Sequence, residues 1–200
     1  YEGQRQDLIR YMRETENQLQ ILLCELAAYL HNKDMEINVW DQIIAFEGRM
    51  HEFIKAAYDY QDNTFHSHPG YYIDYFEMRL AQLQVLHNLH YEIKKIRKMP
   101  KQALVIADYI MYMADYVVEM NIPDQQIEKL EEISEQMKQE ELPKTREEFE
   151  GRALLYHILM DLEEFLVYKK RFVNGLDEKK LRIYWKQEME QKDSANELQK

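Results

Sequence analysis

Four prolines, Pro69, Pro100, Pro123 and Pro143, divide this 200-residue chain into long stretches almost free of helix breakers, since glycine is also scarce at five residues. Proline lacks an amide hydrogen and its ring clashes with the preceding turn, so it stops a helix or opens its first turn. Between the prolines, apolar residues recur every three or four positions, the period of a helix buried on one face. The pattern predicts an all-α fold, an up-and-down antiparallel helical bundle of six to seven helices. No strand is expected.

The first helix is expected over Gln4 to His31, with Leu8, Tyr11, Thr15, Leu19, Leu22, Leu26 and Tyr29 inward. A loop over Asn32 to Asn38 leads to a second helix over Val39 to Tyr60. The polar run Asp62 to Gly70 reads as a loop. A third helix is expected over Tyr71 to Lys98 and a fourth over Lys101 to Met120, stopped by Asn121. A short acidic fifth follows over Asp124 to Glu140. Thr145 and Glu148 form a capping box that starts a sixth, in which hydroxyl and carboxylate satisfy free amide groups reciprocally. It runs to about Phe172 and ends at Asn174-Gly175, with Phe149, Arg152, Tyr156, Leu159 and Leu166 as its inward seam. These elements make a bundle domain over residues 1–175. Residues 176–200 are expected to form a C-terminal amphipathic helix, about Asp177 to Gln191, and a tail that docks or dangles.

One tetrapeptide pattern, Phe-Glu-x-Arg, occurs three times, at Phe46 to Arg49, Phe76 to Arg79 and Phe149 to Arg152. Composition alone would give about 0.04 copies. At 3.6 residues per turn, Phe and Arg of one copy share a face, whereas Glu points away from both. Arg49, Arg79 and Arg152 are therefore expected on the buried stripes of their helices. Each should meet a carboxylate on another helix, with Glu47, Glu77 and Glu150 as the candidate partners. Such a network either fixes helix register or offers a two-pronged carboxylate clamp beside tyrosine rings; simple surface exposure of the arginines is the remaining alternative. Gly48 and Gly151 fall inside helices, where glycine costs about 1 kcal/mol against alanine. Each is expected to mark a close approach of another helix or a bulky ring, the alternative being a local kink.

Thirty-seven acidic against 26 basic residues leave a net charge of −11, which disfavours nucleic acid as a partner. Cys24 is the only cysteine, so no internal disulfide can form. Its place among Leu22, Leu23 and Leu26 suggests a small core residue. His66-x-His68 and His87-x-x-His90 have no completing cysteine or carboxylate set, and Glu-x-x-His, the mark of di-iron bundles, does not occur. No metal, no cofactor and no enzymatic activity are expected, since phosphate-loop and hydrolase motifs are also missing.

Two stretches carry a family resemblance: Tyr71 to Arg79, continuing to His87, and Leu142 to Tyr156, continuing to Leu166. They resemble the C-terminal domain of the putative aromatic acid exporter family, and the helix order between them is similar too. Members resemble fusaric-acid-resistance-type membrane proteins, with an N-terminal membrane part and a helical domain on the cytoplasmic side. The resemblance implies a cytoplasmic regulatory or assembly domain of a bacterial inner-membrane exporter-like protein. Gating, oligomerisation or sensing of aromatic carboxylates would be its role. The alternative is a pure interaction or oligomerisation module with no ligand. Implied partners are the protein's own N-terminal transmembrane region, further copies of the chain and a small aromatic acid. A first residue other than methionine fits a piece of a longer protein.

Overall fold

The computed structural model describes residues 2–33, 38–64, 70–185 and 197–199. Among them lie seven helices and no strand: α1 (Glu2–His31), α2 (Val39–Asp62), α3 (Gly70–Lys95), α4 (Ala103–Ala114), α5 (Asp124–Lys138), α6 (Arg146–Asn174) and α7 (Glu178–Tyr184). Breaks fall near Pro100, Pro123 and Pro143, as expected; Pro69 lies outside the described residues.

Side-chain pairs fix the helix directions. Tyr11 stacks on Phe53 while Glu25 meets Gln42, so α1 and α2 are antiparallel. Tyr60 meets Tyr72 while Trp40 meets His87, so α2 and α3 are antiparallel too. Helices α1 and α3 run parallel, from Arg5 beside Tyr72 to Tyr29 beside His90. Helix α6 returns against α3, and α4 and α5 close the ring between α1 and α6. The enclosed core is built from Leu, Ile, Phe and Tyr at helical spacing, among them Leu19, Leu26, Ile43, Phe53, Phe76, Leu86, Ile110, Ile158, Leu162 and Phe165.

Two expectations change here. The fourth helix ends at Ala114 rather than near Met120. Residues 115–123 turn instead, because side chains from other helices take their carbonyl groups. Gln20 Nε2 donates to Val117 O at 3.1 Å, and Lys169 Nζ donates to Val118 O and Asn121 O at 2.8 and 2.9 Å. The buried stripe of α6 is also rotated from the expected seam. It keeps Leu159 and Leu166 but centres on Gly151, Leu155, Ile158, Leu162, Phe165, Lys169 and Phe172, and leaves Phe149 62% exposed.

The capping box forms: Thr145 Oγ1 accepts from Glu148 N at 3.1 Å, and Glu148 accepts from Lys144 N at 2.8 Å. Helix α7 docks. Tyr184 stacks on Tyr71 with ring centroids 4.0 Å apart, and Trp185 Nε1 donates to Tyr71 Oη at 3.0 Å. The rest of the amphipathic segment expected to Gln191 lies outside the described residues.

The two interior glycines differ. A Cβ on Gly151 would lie 3.1 Å from Pro100 Cγ and 3.3 Å from Lys98 O, so here the expected close approach exists. A Cβ on Gly48 would meet nothing within 4 Å, which corrects the same expectation there. Gly48→Ala should therefore stabilise the chain by about 1 kcal/mol through helix propensity. Gly151→Ala should lower the unfolding midpoint, because the proline ring and a backbone carbonyl cannot give way. Urea titration of both variants checks the opposite signs.

Candidate functional site

The three Phe-Glu-x-Arg arginines do not converge. Arg79 is 1% exposed, in the middle of the bundle. Arg49 stays at the surface with its side chain 43% exposed, its guanidinium lying over Phe53 and bonded to Glu14 and Glu52. A long aliphatic stem lets an arginine leave an apolar stripe in this way. Arg152 is half-buried and donates to the backbone carbonyl of Glu141, because α6 starts beyond the end of the bundle. The expected acidic partners are not used either. Glu47 lies 3.9 Å from His87, Glu77 accepts from Tyr58 at the surface, and Glu150 is exposed.

Arg79 instead belongs to a largely buried cluster with Arg13, Lys169, Glu16 and Glu119. Its Nε donates to Tyr75 Oη at 3.0 Å and its Nη1 to Gln82 Oε1 at 2.9 Å. Its Nη2 makes no hydrogen bond and lies 3.8 Å from Glu16 Oε2. Tyr75 Oη donates to Glu16 Oε2 at 2.6 Å, and Tyr71 Oη donates to Glu119 Oε2 at 2.5 Å. Arg13 bridges the two carboxylates from the surface, at 2.9 Å from Glu16 and 2.8 Å from Glu119. Lys169 completes the set from α6. Burial, with Arg79 nearby, holds its ammonium well below the usual lysine range. Burial also raises the Tyr71 and Tyr75 hydroxyls, with Glu119 adding to the first; both remain donors at neutral pH.

This cluster was only partly legible. Glu16 and Lys169 are charged residues on apolar stripes, a signal that lies outside the repeated tetrapeptide. Glu119 falls in the stretch read as the end of a helix.

Arg152 lines a cleft of about 290 Å³ at the end of the bundle, together with Lys98, Lys101, Lys144, Leu142 and several glutamates. No tyrosine lines it. Of the histidine pairs, His66 and His68 lie outside the described residues. His87 packs edge-on against Trp40, and His90 is buried and held below the usual histidine range by burial, then by Lys94. Cys24 is exposed rather than in the core.

A second polar group spans α3 and α6. His157 Nδ1 lies 2.6 Å from Glu92 Oε1, and Asp161 lies one turn further along α6. Burial, then Asp161, pushes the Glu92 carboxyl up to about 9.

The fold is an all-helical bundle with a largely buried charge cluster at its centre. Residues 5–170 match the family model described as "Putative aromatic acid exporter C-terminal domain", and the chain belongs to that family. A curated relative from Bacillus subtilis (strain 168), named "Uncharacterized protein YqjA", is 27% identical over 170 residues, covering 82% of this chain and 51% of the relative. The chain thus spans about half the length of that relative. A crystal structure of a "putative membrane protein from Clostridium difficile 630" superposes with a TM-score of 0.75 at 23% identity, covering 84% of this chain and 97% of the other. That likeness shows the shared fold. No helix among the described residues is long and apolar enough to cross a membrane.

Proposed function

We propose that this chain is a non-catalytic assembly and regulatory domain that docks on the membrane part of an exporter-type protein, at the cytoplasmic face. The observation that carries the reading is the outer face of α4. Leu104, Val105 and Met111 stand exposed there, and Tyr116 and Val118 extend the apolar surface past the helix end. Helix α4 carries no basic residue and a single acidic one, yet only one side of it faces the core. An exposed face rich in large apolar side chains, interrupted by Asp108 and bounded by Asp115, is read as an interaction surface. The occupant is the remainder of the polypeptide, because the curated relative carries about as much chain again outside the matched region.

The test is photocross-linking in the full-length protein in membranes. A photoreactive residue at Met111 should cross-link to the membrane part, and one at Glu131 on α5 should not. Cross-links only to a second copy of this domain, or equal yields from both positions, would overturn the reading.

A second reading, sensing of a small carboxylate at the Arg152 cleft, has four lining cations in its favour and four lining glutamates against it, in a volume near the lower bound for ligand pockets. Calorimetric binding of a hydroxybenzoate, lost in Arg152→Ala, would favour it over docking alone. In this reading Arg79, which is 1% exposed, has a structural part.

A further inference from the structure

Glu92, His157 and Asp161 each offer one ligand atom, and these atoms all lie within 4.8 Å of one another. His157 and Asp161 stand four residues apart on α6 and so share a face, opposite Glu92 on α3. The residue Asp161 is 6% exposed, and its Oδ2 and the Glu92 Oε2 are buried without hydrogen-bond partners. Two carboxyl groups facing each other at a helix interface are costly unless a proton or a cation lies between them. Lys95, one turn from Glu92, is the nearby cation acting on it, and the Glu92 and Asp161 carboxyl groups meet each other directly, a contact that a shared proton or an ion must bridge.

We propose that Glu92, His157 and Asp161 form a divalent-cation site of the zinc type that ties α3 to α6. One imidazole nitrogen and two carboxylate oxygens suit Zn²⁺, and an octahedral oxygen-loving ion such as Mg²⁺ less well. Bonds of about 2.0–2.1 Å at tetrahedral angles put ligand atoms roughly 3.3 Å apart. His157 and Glu92, 2.6 Å apart, would part by a rotamer change to admit the ion. The His157 side chain is 60% exposed, so an ion can enter from solvent without opening the core. Three protein ligands leave a fourth position for water. The site escapes a search for short motifs because its ligands come from two helices 65 residues apart in sequence, counting from Glu92 to His157.

The experiment is calorimetric titration of the tag-free, chelator-treated chain with ZnCl₂, with MgCl₂ as a control. The expected result is one equivalent of Zn²⁺ bound with a Kd of about 1 µM or tighter, and a higher unfolding temperature. His157→Gln and Asp161→Asn should each weaken binding by more than about tenfold, the cost of losing even an outer partner of a metal site. Both variants should fold, since His157 is exposed and Asp161→Asn removes one of two facing carboxylates; circular dichroism verifies this. His87→Gln, away from the site, should bind as the parent does. Absence of binding to the parent chain, or one-equivalent binding unchanged in His157→Gln and Asp161→Asn, would overturn the proposal.

Discussion

Arg79→Ala is expected to destabilise the chain by about 3 kcal/mol, because it removes a buried partner from a charged cluster and leaves a cavity. Tyr75 and Gln82 would each lose a donor, and Glu16 would keep only Arg13 and Tyr75. Arg79→Met, which fills more of the space, separates the two causes: a loss near that of Arg79→Ala assigns the effect to charge. Arg49→Ala is the control. It breaks surface pairs with Glu14 and Glu52 and should cost less than about 1 kcal/mol. Urea unfolding monitored by circular dichroism measures all three. An Arg79→Ala midpoint equal to that of the parent would show that the cluster contributes nothing net.

The second large effect is expected at Lys169. Lys169→Met keeps most of the aliphatic stem but leaves the carbonyls of Val118 and Asn121 without their donor. A loss of about 2 kcal/mol follows from part-buried acceptors left without a donor. The local consequence is sharper. Residues 115–123 should exchange their amide hydrogens faster, while the middle of α3 keeps its protection. Uniformly faster exchange across both segments would contradict the assignment of Lys169 to this turn.

Periodicity and proline spacing sufficed for the helices, because long amphipathic segments declare both their period and their ends. Thr145 and Gly175 mark the two ends of α6 through local chemistry alone. The fourth helix was overextended for a reason outside its own residues. The pattern from Val117 to Met120 is compatible with helix, and only Gln20 and Lys169, from α1 and α6, draw its carbonyls into a turn. The expected arginine network is met only in part: Arg79 is buried and both Arg49 and Arg79 lie near carboxylates of another helix, Glu14 and Glu16, but the three arginines do not converge. Helical angles can place Arg49, Arg79 and Arg152 on a face, but not decide how far along the bundle each one lies. Arg79 is central, Arg152 terminal, and Arg49 long enough to reach solvent. Glu92, His157 and Asp161 come together only through the antiparallel pairing of α3 and α6, which no local pattern encodes.

The turn held by Lys169 also constrains how this fold can vary among related chains. A lysine at this position is useful only while the backbone between α4 and α5 presents two free carbonyls to it. Chains that replace the lysine with an apolar residue should therefore also change the length or the composition of that connection. Substitutions at the two places are expected to be inherited together, although some 50 residues of sequence separate them.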